Sequence, residues 1–533
     1  MMKIILVVTL LQHCATKCYS KTIKPQTVFP SIMDARSSAG GLLLVIRDGL
    51  TLSLRKASVF SNQVKVSTVI DDSKITFDIR GKDLESKLYQ DTEKHAAVIV
   101  TEENGVQVHG IIGSKVIRPL FAIERRFDGR LAHELTQVQE EHTADYGIDE
   151  EFDDLSVFNN QELEHSSTTN NKKNLEARQE ETDVLQVTPE VHIMLDSVFT
   201  GGFNNQNEML EYLAILIATA NLKFETLAPY LDLQLVVTAV TSYTESSETF
   251  VKSPPKHPKA MLFSALHSLP NFTLERKNDF QNDDLIVLIT GRDIAMYNES
   301  TRKLHSQDIA GYAFLGGACS SMNVGMVEDS PRSFRGTLPF VHEVGHMLGS
   351  VHDGDQADTE IKDHPGALSC PESDEYIMSS ISTSHNRHHF SKCSSLQLLV
   401  FATNKEGCCL IEKSQRHTEP VDISRIEKWI DPQMFCELRH PNIRKVTYVK
   451  EIKRNLWHKP DFQYPPGIKK CQLLCKTVID SKVRYYGYDA PDGTPCNEKN
   501  MSMVCVNKVC TEPPTNMTTF KESHVNRIHR KPR

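Results

Sequence analysis

The residues best suited to chemistry lie in the segment Phe340–Asp353, which reads FVHEVGHMLGSVHD. His342 and His346 are four positions apart, so on a helix they share one face and can bind one metal ion through imidazole nitrogens. Gly349 can adopt a positive φ, end that helix and turn the chain so that His352 reaches the same ion. Three neutral nitrogen ligands leave the fourth position to water, which is typical of a catalytic zinc rather than a structural one.

Glu343 directly follows the first of these histidines and therefore points beside the metal-binding face. Its carboxylate can take a proton from the attacking water and then protonate the leaving amine, which is the chemistry of peptide-bond hydrolysis. In a chain with 22 histidines and 25 glycines, such a spaced set arises by chance roughly 2 times in 10,000. The dipeptide His133-Glu134 is a control within the chain, because Gln137 stands where a second histidine would be needed.

The full pattern HExxHxxGxxH, followed by Asp353, resembles the signature of the adamalysin/reprolysin branch of the metzincin zinc endopeptidases. Tyr376-Ile377-Met378 is similar to the Met-turn of that family, in which a methionine lies beneath the metal, and Phe390–Ser394 is also similar to it. Within the family, the chain most resembles the reprolysin-like salivary metalloproteases of ticks, which carry a cysteine-rich tail and no disintegrin domain.

This resemblance implies a metal site and a fold. One catalytic Zn²⁺ would be held by His342, His346 and His352, with Glu343 as the catalytic residue. The fold would be an α/β metzincin catalytic domain with a mixed, mostly parallel sheet and an active-site helix. A β-rich propeptide would precede this domain, and a disulfide-rich module would follow it.

A structural Ca²⁺ behind the site is a second implication of the resemblance. Glu190 matches one of its ligands, and Asp283 or Asp284 matches another. Where the third ligand, usually Asn, would stand, this chain has Glu412. An equal interpretation is that these are ordinary surface carboxylates.

The resemblance also suggests disulfide bridges. Cys370 would pair with Cys393, and Cys319 with Cys408 or Cys409, which leaves one of that adjacent pair to join the tail. Eleven of the 13 cysteines lie from Cys319 onward. Because eleven is odd, one thiol is free, intermolecular or paired with a retained Cys18, and the sequence does not fix the connectivity.

From about residue 190, the apolar pattern alternates between strands and helices. Val191–Leu195 alternates like a strand, Leu285–Thr290 is a continuous apolar strand, and Asn207–Leu227 has apolar residues at helical spacing. Leu233–Val240 predicts another strand, and Ala260–Leu269 predicts a short helix. The order β-α-β-α-β independently favours an α/β domain with a largely parallel sheet.

The N-terminal part differs in pattern. Apolar runs before Asp48-Gly49 and before Asn104-Gly105 are hairpin signals, so we expect a compact, mostly β block up to about Arg130. From Glu134 to Asp183, 15 acidic residues stand against three basic ones, a net charge of −12. So acidic a segment, with little apolar content, is typical of a solvated linker.

Composition indicates a secreted product. Lys3, the apolar run Ile4–Leu11 and the small or polar residues that follow are typical of a signal peptide. Cysteines crowded into the C-terminal half indicate an oxidising compartment, and four Asn-x-Ser/Thr sequons fit a glycoprotein. A formal charge of −9 argues against nucleic-acid binding, and no internal apolar run is long enough to span a membrane.

The tail contains the remaining signal. Pro491–Cys496 includes the sequence Asp-Gly-Thr-Pro-Cys, and together with Cys505 and Cys510 it resembles the cysteine-rich module of proteases with thrombospondin motifs. In that family the module docks substrate or matrix proteins, so docking of matrix or plasma proteins is expected here. The chain has no Arg-Gly-Asp triplet, so integrin binding has no support in the sequence.

The expected organisation has five parts: a signal peptide at 1–20, a propeptide with acidic linker at 21–183, a reprolysin-like zinc metalloprotease domain at 184–413, a cysteine-rich module at 414–511 and a basic tail at 512–533. The expected function is a secreted zinc endopeptidase acting on extracellular proteins such as fibrinogen, fibronectin or gelatin, with an anti-haemostatic role in saliva as one form of it. One alternative is a catalytically silent decoy on a protease fold. Another is a protease that processes the animal's own matrix.

Overall fold

The computed structural model describes residues 25–33, 42–138 and 185–411, with internal gaps of up to four residues, and shorter runs between 432 and 511. The expected signal peptide, most of the acidic linker, Glu412 and the basic tail lie outside the described residues. Among the helices that are described, none is long and apolar enough to cross a membrane.

The N-terminal region consists almost wholly of strands. They are β1 (Gln26–Val28), β2 (Ser31–Met33), β3 (Leu42–Arg47), β4 (Leu50–Lys56), β5 (Phe60–Ile70), β6 (Ser73–Arg80), β7 (Leu88–Asp91), β8 (Ala96–Thr101), β9 (Gln107–Ile112), β10 (Lys115–Pro119) and β11 (His133–Gln137), with one helical turn, α1 (Gly81–Leu84). Nine of these strands form an antiparallel sheet in the order β1-β11-β10-β9-β8-β7-β4-β3-β2.

Both hairpins expected in this region are confirmed. Asp48-Gly49 joins β3 to β4, and the loop with Asn104-Gly105 joins β8 to β9. Gly49 and Gly105 both have positive φ, at 77° and 91°, which glycine adopts without steric cost. His133, the first residue of the control dipeptide, is a buried strand residue rather than part of a polar helix or linker.

The region from residue 185 alternates between strands and helices. Its strands are β12 (Leu185–Val187), β13 (Glu190–Leu195), β14 (Leu231–Leu233), β15 (Val236–Tyr243), β16 (Ala260–Leu262), β17 (Leu285–Thr290), β18 (Asp293–Asn298), β19 (Lys303–His305), β20 (Gly311–Ala313) and β21 (Val324–Glu328). Its helices are α2 (Ser197–Thr200), α3 (Gln206–Phe224), α4 (Leu269–Glu275), α5 (Lys277–Phe280), α6 (Thr337–Met347) and α7 (Lys392–Thr403).

The central sheet of this region has seven strands in the order β20-β21-β17-β13-β15-β5-β6. Strands β21, β17, β13, β15 and β5 run parallel to one another, and the outermost strands β20 and β6 are antiparallel to their neighbours. Two of the seven strands, β5 and β6, come from the N-terminal region. The sequence did not predict this, because local patterns carry no information on which distant strand a hairpin joins.

The core lies on both faces of the central sheet because side chains alternate along each strand. Ile193 and Val287 point to the face covered by α3 and α6. Their neighbours Met194 and Leu288 point to the other face and pack in a second apolar cluster with Phe272.

One predicted element is wrong in type. Ala260–Leu262 pairs with β18 as strand β16, followed by a 3-10 turn, and α4 begins only at Leu269. Pro270 explains the helix start, because proline is tolerated in the first helical turn, where its missing N–H has no helical partner.

The C-terminal region is small and held by disulfides. Its described strands are β22 (Val446–Val449), β23 (Gln472–Ile479), β24 (Lys482–Asp489), β25 (Val504–Val506) and β26 (Val509–Thr511). Three bridges, Cys436–Cys475, Cys471–Cys505 and Cys496–Cys510, close among its own six cysteines. The expectation that one cysteine of the pair 408 and 409 joins the tail is therefore wrong, because the tail's cysteines satisfy one another.

Candidate metal centre and active site

Helix α6 carries the first two histidines of the motif. It ends at Met347, and Gly349 follows with φ of 88°, a value that strains any residue with a side chain. A Cβ at position 349 would also lie 2.9 Å from the ring of Phe401. The turn required by the motif is therefore made at this glycine, and the chain returns towards the helix.

The three histidines meet as expected. The Nε2 atoms of His342 and His346 are 3.1 Å apart, and the Nε2 atom of His352 lies 3.2 Å and 3.1 Å from them. Three nitrogens that bind one zinc at about 2.0–2.1 Å in tetrahedral directions are about 3.3 Å apart. The spacing of the three ring nitrogens therefore fits a single zinc ion.

Backbone carbonyls fix the protonation of two of these rings. The Nδ1 atom of His342 lies 2.7 Å from the carbonyl oxygen of Ile377, and that of His346 lies 2.7 Å from the carbonyl oxygen of Ser350. A carbonyl oxygen only accepts hydrogen bonds, so each Nδ1 carries the proton and each Nε2 presents a lone pair to the centre. This donor set suits a cation.

Glu343 lies on the same helix and is 3% exposed. Its side chain packs against Gly311 of β20, where a Cβ would come within 2.5 Å of Cγ and 2.6 Å of Oε1 of the glutamate. The side chain thus has a fixed position between the helix and the outermost strand of the central sheet. The sequence motif predicted Glu343, whereas nothing in the motif pointed to Gly311.

Met378 occupies the position expected for the methionine beneath the metal. It is fully buried, and a Cβ at Gly345 of the active-site helix would lie 2.6 Å from its Sδ atom. Its carbonyl accepts a hydrogen bond of 2.8 Å from the backbone N–H of Asp353. The turn 376–378 therefore supports the histidine helix from below and also holds the segment that carries His352.

Asp353 links this segment to helix α7. Its carboxylate accepts a hydrogen bond of 2.5 Å from the hydroxyl of Ser391, which caps the N-terminus of α7. Burial raises the pKa of Asp353 to about 6, against the opposing effect of hydrogen bonds from Ser391 and Ser394. The aspartate that marks the family motif therefore acts here as a structural tie.

Two further side chains position the loop after α6, and sequence reasoning missed both. The Nε2 atom of His364 lies 2.8 Å from the carbonyl oxygen of Gly349, and Gln397 accepts a hydrogen bond of 2.9 Å from the N–H of Val351. His364 stands 12 positions after His352 and Gln397 stands 45 positions after it, and the motif sets no residue type at either place.

The start of α6 is held by a buried acid that sequence reasoning also missed. The Tyr212 hydroxyl donates to Asp329 at 2.5 Å and accepts a hydrogen bond of 2.8 Å from the N–H of Phe334. Asp329 also accepts from the N–H of Gly336, the residue before the helix, at 2.9 Å. Burial raises the pKa of Asp329 to about 6, despite the hydrogen bonds it accepts.

The two aspartates considered as calcium ligands have different hydrogen-bond partners. The carboxylate of Asp283 lies 2.8 Å from Nδ1 of His192 and accepts from Thr238 at 3.0 Å, so it is engaged inside the domain. Asp284 instead accepts a hydrogen bond of 2.9 Å from the N–H of Glu190. Of the two, Asp284 is therefore the better match, and calcium binding stays a prediction.

The two bridges expected within the protease domain are both present. Cys370 pairs with Cys393, and Cys319 pairs with Cys409, which decides between the two alternatives left open by the sequence. The first bridge connects the loop after the motif to α7. The second fixes the C-terminal end of the domain to the loop before β21.

Comparison with known proteins agrees with this site. Residues 186–391 match the family described as Reprolysin_5, metallo-peptidase family M12. The chain is 26% identical over 402 residues to the venom metalloproteinase antarease-like TtrivMP_A of Tityus trivittatus, covering 73% of this chain and 93% of that protein. It is 25% identical over 400 residues to the venom metalloproteinase antarease TserMP_A of Tityus serrulatus, with the same coverage.

A shorter match is to a protein of Bombyx mori named as similar to a disintegrin and metalloproteinase with thrombospondin motifs, the type of protease that the tail resembles. The two are 31% identical over 134 residues, which is 24% of this chain and 19% of that protein. The narrower resemblance to tick salivary metalloproteases is not supported, because the long matches named here are to scorpion venom proteins. The segment that carries the histidines, residues 186–391, is thus similar to the reprolysin-type metallopeptidases of family M12.

Proposed function

We propose that this protein is a secreted zinc-dependent endopeptidase that hydrolyses peptide bonds of extracellular proteins. The observation that carries the proposal is the convergence of three histidine Nε2 atoms within 3.2 Å of one another, with Glu343 on the same helix. A decoy needs neither a complete ligand set nor a base held beside it. Both are features of a working hydrolase.

Zinc, when bound by His342, His346 and His352, supplies Lewis-acid polarisation of the scissile carbonyl. Glu343 takes the proton of the attacking water and returns it to the leaving amine. Strand β20 is the outermost strand of the central sheet, and its Gly311 lies against the side chain of Glu343. An extended substrate that pairs with this outermost strand would lie along the site with its peptide bonds within reach of the carboxylate.

The substrate class follows from the expected compartment. The signal-like N-terminus and the five described disulfides fit an extracellular enzyme. The two Tityus relatives named above are venom proteins, which favours action on the proteins of another animal over processing of the animal's own matrix. Matrix and plasma proteins such as gelatin, fibronectin and fibrinogen are the proposed substrates, and the tail is proposed to dock them.

We also propose that the enzyme is made as a zymogen. Its activation cut falls in the acidic linker between Lys172 and Thr188, because Lys172-Lys173 and Arg178 are the nearest basic residues. A linker of this composition is open to proteases.

The test is turnover of gelatin and fibrinogen by the purified, linker-cut protein. A zinc chelator should abolish cleavage, and added Zn²⁺, but not Ca²⁺, should restore it. Cleavage that persists in a zinc-free preparation would contradict the proposal. A zinc-loaded protein that binds these substrates and never cleaves them would favour the decoy.

A further inference from the structure

We infer that residues 42–138 remain bound to the protease domain after the linker is cut, so that the active form is a complex of two chains. The inference rests on the proposed linker cut, because only a cut makes the propeptide a separate chain. A propeptide is ordinarily expected to dissociate after cleavage. Here the N-terminal region would instead stay bound to the protease domain as a permanent part of the folded enzyme.

The first contact is a continuous sheet. Strand β5 pairs in parallel with β15 of the protease domain. The N–H of Val237 donates to the carbonyl oxygen of Val59 at 2.8 Å, and the N–H of Thr244 donates to that of Val69 at 3.1 Å. Departure of the propeptide would leave a row of backbone groups without these partners along β15, at the edge of a sheet.

The second contact buries helix α3 on all sides. One face of α3 packs in the core of the protease domain. Strands β7, β8 and β9 pack on its other face, so the helix is buried around its circumference. A helix that is apolar all round belongs in an interior. The sequence of α3, QNEMLEYLAILIATANLKF, is therefore fitted to a position between two sheets rather than to a surface.

Strand β8 shows that the propeptide is equally fitted to this interface. Ala97 and Ile99 belong to the apolar cluster shared with α3 and the protease domain. The alternate residues Val98 and Val100 belong to the propeptide's own cluster. All four side chains are buried, so β8 is packed on both faces, one of them against the protease domain.

Polar side chains complete the interface. Arg55 of the propeptide forms an ion pair of 2.7 Å with Glu225. The ring of His95 stacks on that of His388 at 5.7 Å and meets that of His389 edge-on at 5.4 Å. His388 and His389 thus lie against the propeptide.

The C-terminal region holds the propeptide from another side. Leu43 of β3 is 2% exposed and packs in an apolar cluster with Leu473 and the disulfides of the tail. Its neighbours Leu42 and Leu44 belong to the propeptide's own cluster. The propeptide therefore has partners on both sides that a cut in the linker does not touch.

The experiment uses the full chain, with residues 172–178 replaced by the recognition sequence of a specific protease. After complete cutting, size exclusion in 1 M NaCl should give one peak that contains both fragments at the mass of the uncut chain. Elution of the protease fragment apart from the propeptide, whether monomeric or aggregated, would overturn the inference.

Two variants in β8 form a matched pair. Ile99→Asp places a charge against α3 and should raise the rate of fragment separation at least tenfold, whereas Thr101→Asp, at the end of the same strand, should leave it unchanged. Equal rates for both variants would contradict the interface described here.

Amide hydrogen exchange gives an independent reading if Ile99→Asp fails to fold. In the cut, unsubstituted protein, the amides of Val237 and Thr244 should exchange as slowly as in the uncut chain. A hundredfold acceleration at both would mean that β5 has left. None of these readings uses peptide cleavage, so they can fail while the proposed activity holds, and the reverse.

Discussion

Two backbone carbonyls determine what the metal-binding histidines can do. Because Ile377 and Ser350 accept from Nδ1 of His342 and His346, both rings keep the tautomer that leaves Nε2 for a metal. The sequence motif identified the ligands but not these carbonyls, since a backbone oxygen has no signature in residue type. Their positions depend on the Met-turn and on the turn at Gly349.

At this scale, Gly311→Ala tests the position of Glu343. An added methyl would come within 2.6 Å of the carboxylate oxygen, and the buried side chain cannot move freely away from it. We expect kcat to fall about 10- to 100-fold while the zinc content is kept, because a base displaced by a fraction of an ångström loses its alignment.

The measurement is turnover of a short peptide together with zinc analysis of the same sample. Ala313→Gly, in the same strand, is the control and should leave kcat within about a factor of three. Wild-type kcat in the Gly311→Ala variant would show that the contact between this strand and Glu343 is unimportant.

The site residues were the most predictable part of the molecule. The three histidines converge as their spacing predicted, because the chemistry of a single metal restricts residue type and distance together. Glu343 lies on the same helix, and Met378 packs against that helix as the family resemblance implied. The residues that hold them, such as His364 and Asp329, lie outside the motif, at places for which it sets no residue type. Their roles arise only after folding.

At the scale of elements, the start of the active-site helix depends on the contact between α3 and the loop before α6. Phe334 has φ of 59°, an unfavourable value for a residue with a side chain. It is held there by its N–H bond to the Tyr212 hydroxyl and by ring stacking on Tyr212 at 4.2 Å. Asp329 accepts a hydrogen bond from that hydroxyl and so completes the arrangement.

Asp329 should make the stability of this arrangement depend on pH. Its folded pKa is raised to about 6, above its unfolded value of about 3.9. The folded protein therefore binds the extra proton between these pH values, and the stabilisation present below about pH 4 is lost as the pH rises through 6. The loss is at most about 3 kcal/mol for a shift of about two pH units.

Asp329→Asn removes this titration. We expect the difference in unfolding free energy between the two proteins, measured in denaturant at pH 4, 5, 6 and 7, to shift in favour of Asn as the pH rises. Protonation of the metal ligands affects both proteins alike and cancels in the difference. A difference that is flat with pH would show that Asp329 titrates as an ordinary carboxylate.

Some helices and strands could be predicted from the sequence and others could not, and the difference has a physical reason. Strand β17 and helix α3 match their expected positions, because the strand is a continuous apolar run, LIVLIT, and the helix has apolar residues along most of its 19 positions. Ala260–Leu269 failed because a short apolar run fits a strand as well as a helix. Pairing of β5 with β15 joins residues about 170 positions apart, which no local pattern encodes.

At the scale of the whole molecule, the tail should affect only large substrates. Truncation after about Glu412 should leave kcat/KM for short peptides within about a factor of three and lower cleavage of fibrinogen or gelatin by tenfold or more. Binding energy from a remote module assists only substrates long enough to reach it. The measurement compares both substrate types with the same enzyme preparation.

An equal loss on peptides and proteins would assign the tail a structural role instead. The contact of Leu43 with the tail cluster makes this outcome meaningful. Leu43→Ser in the untruncated chain is the control, since it weakens that contact and leaves the tail in place.

The proposed latency also belongs to the scale of the whole chain. Residues 21–183 contain no cysteine, so a propeptide thiolate cannot occupy the metal site. Thiol-modifying reagents, which activate zymogens of the cysteine-switch type, should leave the uncut chain inactive. N-terminal sequencing of the active form should place the new start between Lys172 and Thr188. Activation by the reagents, or an active uncut chain, would contradict this account.

The central claim is a zinc site served by one base, and Glu343→Ala in the linker-cut protein tests it most directly. On this account the carboxylate is not a zinc ligand, so zinc content should stay at one per chain, as in the unsubstituted protein, whereas His352→Ala should lose zinc. We predict a fall in kcat/KM for a short peptide of about 10²–10⁴-fold. Unchanged kcat/KM in a fully zinc-loaded Glu343→Ala protein would contradict the account.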